Sequence, residues 1–178
     1  LVYRHRLLHG FDDTPALAMG RVTHTLVFEP AKFEAQYAVW HDGDRRGNAW
    51  KEFAAENAGK TIFKPNEIET AVAMADAVRA HPLVQPYLAD DGLFEHVVRW
   101  TDIDTGLPCK ARPDWLIPSR RILLDLKTCE SAEGFRFGRA AGRYSYHAQI
   151  AYYVNGVTLG LGWAPNAIKL IAVEKNPP

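Results

Sequence analysis

Apolar residues recur along the chain at two spacings, one typical of helices and one typical of strands. The helical spacing predicts a first helix over residues 15–29, since Thr14 suits an N-cap, Pro15 suits the first turn and Pro30 ends the helix. Its predicted buried face carries Leu17, Gly20, His24, Val27 and Phe28. A histidine on such a face is more often a core residue than a metal ligand, so the helix alone leaves both interpretations open.

The segment after this helix is polar and predicts a loop over residues 40–50. Its Arg45-Arg46 pair either contacts a phosphate backbone or is simply solvated. A short helix is predicted over residues 48–57, followed by a long amphipathic helix from Asn66 to the stop at His81-Pro82. Asn66-x-x-Glu69 is the expected capping box of the long helix. Core packing is the expected role of the long helix.

The second half of the chain carries strand patterns. Strands are predicted over residues 93–102, 108–117, 121–127 and 167–174. Between the last two of these, residues 134–155 predict a helix that ends at Gly156.

Two short motifs place acidic residues and a lysine near neighbouring strand ends. Arg112-Pro113-Asp114-Trp115 lies on one predicted strand, and Asp125-Leu126-Lys127-Thr128 ends the next. Side chains two residues apart on a strand share a face, so Asp125 and Lys127 point together. A hairpin at the turn between the strands would bring Asp114 to them. Such a group suits metal-assisted phosphodiester hydrolysis, in which carboxylates hold the cation and the lysine faces a phosphate or a water.

An acidic residue two positions before a lysine is common by chance, so the spacing alone means little. The alternative is an exposed hairpin with a structural ion pair. The preceding apolar run Ile122-Leu123-Leu124 favours a functional site, because ligands bind at strand ends in many α/β proteins.

Composition excludes several classes of protein. The chain has 178 residues, 47% of them hydrophobic, with no apolar run long enough to span a bilayer. Cys109 and Cys129 are too few for a disulfide scaffold or a cysteine metal site, and we expect reduced thiols and a cytoplasmic location. Formal net charge is zero, yet basic residues outnumber acidic ones around the two motifs. The chain begins at Leu1 without a methionine, so we expect a trimmed part of a longer protein.

Ordered motifs over nearly the whole chain resemble the PD-(D/E)xK nuclease superfamily, and within it the exonuclease VIII (RecE-type) branch of phages and prophages. The motifs are Gly20-x-x-x-His24 with Phe28-Glu29-Pro30, the Glu95 strand, residues 105–114, Leu124-Asp125-Leu126-Lys127-Thr128, Tyr146-x-x-Gln149-x-x-x-Tyr153 and the ending at residues 173–178. The iron–sulfur cysteine quartet of some RecB-like relatives is absent. The resemblance implies one α/β nuclease domain over residues 1–178, with a mixed central sheet flanked by helices, as in restriction endonucleases.

The resemblance also implies roles for individual residues. The implied metal ligands are His24, Asp114, Asp125 and the Leu126 carbonyl. Lys127 is implied to orient the attacking water, and Glu95 to hold a water or a second cation. Gln149 and Tyr153 match a Gln-x-x-x-Tyr element that helps to set the metal site, although tyrosines at helical spacing are often core residues.

The implied activity is a Mg²⁺-dependent deoxyribonuclease, with Mn²⁺ as a possible substitute, that degrades duplex DNA 5′→3′ from its ends during homologous recombination. Implied partners are DNA ends, further copies in a ring, and a single-strand annealing recombinase. Candidate backbone contacts are Arg112, Arg136, Arg139 and Arg143, which are otherwise ordinary solvated arginines. Two alternatives stay open: a RecB-like endonuclease or single-strand nuclease, and a non-catalytic DNA-binding module.

Overall fold

A computed structural model describes residues 14–175 of the protein. The helices are α1 (Pro15–Phe28), α2 (Phe33–Gln36), α3 (Gly47–Glu56), α4 (Pro65–Ala80), α5 (Gln85–Leu88), α6 (Gly134–Arg143) and α7 (Tyr146–Leu161). The strands are β1 (Tyr37–Val39), β2 (Thr61–Phe63), β3 (Leu93–Phe94), β4 (Val98–Thr101), β5 (Pro108–Ala111), β6 (Trp115–Ile117), β7 (Ile122–Cys129) and β8 (Ala167–Glu174). Short 3₁₀ turns lie at Pro30–Lys32 and Pro118–Arg120. Within residues 14–175, no helix is both long and apolar enough to cross a membrane.

A mixed sheet forms the centre of the fold, in the strand order β3-β6-β7-β8. The β6–β7 pair is antiparallel, as the predicted hairpin requires, and β7 and β8 run parallel over their full length. Two smaller sheets, the parallel pair β1-β2 and the antiparallel pair β4-β5, lie beside it. The predicted α/β fold with a mixed sheet flanked by helices is confirmed.

Successive residues of β7 pack into two different cores. Leu124 and Leu126 join a cluster with Trp115 on one face of the sheet, which α1 and α4 cover. Leu123 points the other way, into a cluster with Val157 of α7. This alternation is the ordinary two-residue period of a strand. It leaves Asp125 on the same face as Leu123, at a depth where no part of its side chain is exposed.

Two of the predicted strands are each broken into two pieces. The 93–102 segment forms β3 and β4, because Glu95 adopts a left-handed backbone with φ of 47° and ends the first piece. The 108–117 segment forms β5 and β6, with Asp114 in the bend between them. Both interruptions occur at predicted site residues.

The predicted 134–155 helix is also two helices. Ser145 adopts φ of 56° and separates α6 from α7. The second helix continues past Gly156 to the left-handed Gly162, which has φ of 75°. Gly156 is needed for packing instead, since a Cβ there would lie 2.7 Å from the Trp100 ring.

Two local expectations on the first half of the chain are wrong. Leu17 lies on the outer side of α1 and is 51% exposed. The cap of α4 is formed by Glu67, whose carboxylate accepts a hydrogen bond from the Lys64 N–H at 2.7 Å, and not by Asn66. Arg45 donates a hydrogen bond to the Ile62 carbonyl at 2.7 Å, and its contact with a phosphate backbone stays a prediction.

Candidate active site

The acidic and basic residues of the two motifs meet in one open cleft of about 1700 Å³. Helix α1 supplies His24, the bend after β3 supplies Glu95, and the bend before β6 supplies Asp114. Strand β7 supplies Lys127, and the partner of Lys127, Asp125, is buried and does not line the cleft. Residues far apart in the chain therefore converge, as their assignment to one site requires.

The end of β6 leaves one edge of β7 free for a side chain. Pairing between β6 and β7 stops at Trp115 and Leu124, so the Leu126 N–H has no strand partner on that edge. It donates instead to Asp114 Oδ2 at 2.7 Å. The C=O of a strand residue points to the same edge as its N–H. The Leu126 carbonyl, a predicted metal ligand, thus faces the side that holds Asp114.

Three side chains form a group with the donors that a divalent cation prefers. Ligand atoms of His24, Glu95 and Asp114 all lie within 4.8 Å of one another. His24 Nδ1 is 3.6 Å from Glu95 Oε1 and 3.6 Å from Asp114 Oδ2. Two carboxylates with one imidazole suit Mg²⁺ or Mn²⁺ better than a soft metal. Glu95, predicted to hold a water or a second cation, belongs to this group together with the predicted ligands His24 and Asp114.

Asp125 lies outside that three-residue group and pairs with Lys127. The Nζ of Lys127 is 2.6 Å from Asp125 Oδ2. Neither carboxylate oxygen of Asp125 receives a hydrogen bond of good geometry, although both are buried. A buried carboxylate with unfilled acceptor positions is costly unless a cation satisfies it. The donors of the His24 group, together with the unfilled acceptor positions of Asp125 near Asp114, therefore fit a divalent cation.

Burial and neighbouring charge shift the protonation of these groups. Burial raises the pKa of Asp114 to about 6, against the opposing charge of His24 and with a further increase from Asp125. Burial also raises the pKa of Asp125, and the Lys127 ammonium partly offsets this. For His24, burial lowers the pKa, but the Glu95 and Asp114 carboxylates outweigh it and the net direction is upward. Without a cation, the site therefore holds more protons than the same groups would in water.

Glu95 is held in its left-handed conformation by two contacts. Its N–H donates to the Asp114 carbonyl at 2.9 Å. Its Oε2 is 2.9 Å from Arg112 Nε. A residue with a Cβ rarely adopts positive φ, and such strain is concentrated at functional sites. Arg112 thus positions a site carboxylate, besides its predicted role as a contact for the DNA backbone.

Helix α7 brings Gln149 and Tyr153 to the same cleft. Gln149 Nε2 donates to the Tyr153 hydroxyl at 3.0 Å. The Tyr153 ring also packs against the core cluster below α7. Burial raises the pKa of Tyr153, and the charges of Asp114 and Asp125 raise it further, so its hydroxyl keeps its proton. These residues combine core packing with a hydrogen-bonding edge on the site.

The basic side of the cleft is helix α6. Its exposed arginines Arg136, Arg139 and Arg143 all line the cleft, as does Arg112. Tyr144 and Tyr146 lie beside them. Tyr144 was not singled out by sequence reasoning, although an aromatic next to an arginine at a helix end is the signal that would have found it.

A family model described as a PDDEXK-like domain of unknown function (DUF3799) matches residues 4–178. The chain belongs to this family. Membership indicates a nuclease of the PD-(D/E)xK superfamily, in agreement with the fold and with the cluster of Asp114, Asp125 and Lys127. PDDEXK nucleases use divalent metals, which agrees with the His24, Glu95 and Asp114 group. Comparison with curated proteins finds no match.

Proposed function

We propose that this chain, as one nuclease domain over residues 1–178, is a Mg²⁺-dependent deoxyribonuclease that degrades duplex DNA 5′→3′ from its ends. The observation that carries the proposal is that Lys127 shares a cleft with the His24, Glu95 and Asp114 group and with several arginines, while buried Asp125 pairs with Lys127. Hydrolysis of a phosphodiester needs charge neutralisation at the phosphate and an oriented water, and these residues can supply both.

Each part of the cleft has a distinct task in this proposal. His24, Glu95, Asp114, Asp125 and the Leu126 carbonyl would hold the cation. What a bound divalent cation supplies is charge neutralisation at the phosphate and a lower pKa for the attacking water. Mn²⁺ offers the same chemistry as Mg²⁺ at such oxygen-rich sites.

Lys127 carries a positive charge to the place where negative charge develops on the phosphate. Its side chain is only 14% exposed, and Asp125 fixes its ammonium. A positioned charge of this kind needs little reorganisation during the reaction, which favours a role in the transition state over one in binding. The hydrogen-bonded pair of Gln149 and Tyr153 borders the same space and would orient the strand or the water.

The arginines supply a contact surface for a polyanion. Arg136, Arg139 and Arg143 project from one helix into the cleft, and Arg112 borders it near Glu95. Guanidinium groups bind phosphate oxygens in a bidentate manner, so a row of them tracks a nucleic-acid backbone. Such contacts carry no sequence information, in keeping with a nuclease that degrades DNA of any sequence.

Polarity, recombination and assembly rest on the resemblance to exonuclease VIII alone. In this proposal, copies of the chain form a ring around duplex DNA in the bacterial or phage-infected cytoplasm. The 3′ single strands left by resection pass to a single-strand annealing recombinase. A non-catalytic DNA-binding module is less well supported, because Asp114, Asp125 and Lys127 are all present and brought together.

A digestion assay tests the activity and separates it from the endonuclease alternative. Purified protein is incubated in Mg²⁺ with one plasmid, either covalently closed or linearised, and the linear form carries a label on the 5′ or the 3′ end. An exonuclease of the proposed polarity consumes only linear DNA and releases the 5′ label first. Equal loss of closed circles would show an endonuclease, and no Mg²⁺-dependent loss of any form would refute a nuclease.

A further inference from the structure

Two stacked tyrosines line the cleft beside the lysine of the proposed active site. The rings of Tyr144 and Tyr146 have centroids 5.9 Å apart and an interplanar angle of 23°. The Nζ of Lys127 lies 5.0 Å from the centroid of the Tyr146 ring. Tyr144 is 61% exposed and Tyr146 is half-buried. The outer ring is therefore open to solvent, while the inner ring connects it to the Asp125–Lys127 pair.

The stacking depends on the strained break between α6 and α7. Residues two apart on a continuous helix point to opposite sides and cannot stack. Ser145 adopts φ of 56° and ψ of 39°, a conformation that a residue with a Cβ rarely takes. Its carbonyl accepts hydrogen bonds from the N–H groups of Ala148 at 3.0 Å and Gln149 at 3.1 Å, which hold the turn. This turn places both rings on the cleft side.

Cationic and aromatic groups surround the pair. The guanidinium carbon of Arg143 lies 5.6 Å from the centroid of the Tyr144 ring. Phe137 supports Tyr146 from α6, with ring centroids 6.1 Å apart. Arg136 and Arg139 line the same cleft. Stacking surfaces among backbone-binding cations are the combination that proteins use for single-stranded nucleic acid, since every base offers a flat face.

Packing alone does not explain the pair. An aromatic pair that serves only the core is buried, and most of Tyr144 is solvent-exposed. Bases inside duplex DNA also fail to explain it, because they are stacked on one another and only the last pair at an end offers a face to a side chain. An unpaired base next to the scissile phosphate has a free face that can stack on the exposed ring.

We propose that Tyr144, supported by Tyr146, stacks on an unpaired base of the strand that lies at Lys127, so that the strand enters the site single-stranded. This inference rests on the proposed nuclease function and specifies the form in which the site takes its substrate. Tyr144 is then a binding residue for the nucleobase, while the α6 arginines hold the backbone.

Base stacking is measured directly with 2-aminopurine, whose fluorescence is quenched when the base stacks on an aromatic ring. Single-stranded oligonucleotides, with 2-aminopurine at one position in turn, are titrated with protein in Ca²⁺, and a denaturing gel verifies that the DNA stays intact. The variants are Tyr144→Ala and Tyr144→Phe. Tyr152→Ala is the matched control, because Tyr152 is a partly exposed tyrosine of α7 that packs on Trp100 instead of lining the cleft.

We expect wild-type protein to quench at one or two adjacent positions. Tyr144→Ala should lose this quenching and at least about fivefold in affinity, since stacking on one base contributes at least that much. Tyr144→Phe and Tyr152→Ala should behave like wild type. Unchanged quenching and affinity in Tyr144→Ala, with a normal melting temperature, would overturn the proposal.

The binding readout is independent of cleavage, so the two proposals fail separately. Quenching that requires Tyr144, in a protein that does not cut DNA in Mg²⁺, would remove the nuclease assignment and retain the stacking surface. Mg²⁺-dependent cutting with no effect of Tyr144→Ala on quenching would retain the nuclease assignment and remove the stacking surface.

Discussion

Asp114 and Leu126 are joined across the edge of the central sheet, where the Leu126 N–H donates to Asp114 Oδ2 at 2.7 Å. The bond forms because β6 ends at Trp115 and leaves that position of β7 without a strand partner. The Asp114 carboxylate is therefore aligned by the backbone of the strand that carries Asp125 and Lys127. An asparagine in place of Asp114 keeps an oxygen that can accept the same bond, so it removes charge while preserving this alignment.

The first prediction concerns the pH dependence of stability without metal. Because the pKa of Asp114 is raised to about 6 in the folded protein from 3.8, the folded state binds more protons than the unfolded one between these values. Its contribution to stability is fully present below pH 3.8 and is lost as pH rises through 6. Asp114→Asn removes this loss, so its stability relative to wild type should increase by about 2 kcal/mol between pH 4 and pH 7.

Thermal unfolding in a chelator, from pH 4 to pH 8, measures this difference. Asp104→Asn is a suitable control, because Asp104 is an exposed acid at the β4–β5 turn, outside the cleft. Parallel pH curves for wild type and Asp114→Asn would show that Asp114 ionises in the folded protein as it does in water. In Mg²⁺ the wild-type protein should be more stable than Asp114→Asn, because the cation stabilises only the protein with the full set of ligands.

The second prediction concerns the Asp125–Lys127 pair. Lys127→Met leaves the Asp125 carboxylate buried without its partner, which should destabilise the protein by about 3 kcal/mol at pH 8. Asp125→Asn with Lys127→Met removes both charges and should recover most of that loss. Urea unfolding of the two single variants and the double variant gives the coupling energy. Additive effects would mean that the 2.6 Å contact contributes nothing to stability.

The same variants separate structure from catalysis. Even where the double variant regains stability, cleavage should stay at least about a hundredfold below wild type, because the charge that faces the phosphate is missing. For Lys127→Met alone we expect lower kcat with KM little changed. A rise in KM at constant kcat would instead identify Lys127 as a ground-state contact to phosphate.

Much of this site was predictable from sequence because it depends on strand geometry. The two-residue period of β7 places Asp125 and Lys127 on one face whatever the rest of the fold does. The short turn after Ile117 then fixes the hairpin, and the hairpin brings Asp114 beside β7. The bounds of β8 and the start of α1 were also predictable, because each depends on a local sequence signal. An apolar run defines β8, and a Thr-Pro cap begins α1.

The parts that sequence did not predict depend on distant contacts or on strain. No propensity favours left-handed backbone at Glu95 or Ser145. At Glu95 a hydrogen bond to the distant Asp114 carbonyl holds it, and at Ser145 the first turn of α7 donates to its carbonyl. Gly156 looked like a helix end, yet its role is to make room for Trp100 of β4. The pairing of Arg112 with Glu95 also joins two segments that have no local pattern in common.

The third prediction concerns the cation and its ligands. Mg²⁺ and Mn²⁺ should raise the melting temperature of wild-type protein in a concentration-dependent manner, by mass action on the folded state. His24→Asn should weaken that effect, since its Nδ1 lies 3.6 Å from both neighbouring carboxylates. His41→Asn, which alters an exposed histidine outside the cleft, should leave the effect of the cation unchanged.

Ca²⁺ should also stabilise the protein but support no cleavage, because its larger and looser coordination shell positions a water poorly. Melting curves unaffected by any of these cations would rule out a metal site in this cleft.

The last prediction concerns the arginines of α6. Replacing Arg136, Arg139 and Arg143 with glutamine should weaken DNA binding and reduce the slope of log K against log salt by about 2 to 3, since each lost phosphate contact removes nearly one unit. The matched control replaces three exposed cations outside the cleft with glutamine, namely Arg99, Lys110 and Lys169, and so changes net charge equally. Fluorescence anisotropy from 50 to 300 mM salt, in Ca²⁺ to prevent cutting, gives both slopes. If contact geometry matters, only the α6 variant loses slope, because long-range attraction by net charge is screened over about 10 Å at 0.1 M salt. Equal losses in the two variants would mean that α6 acts through charge alone and that its position beside the Asp125–Lys127 pair has no part in holding the strand.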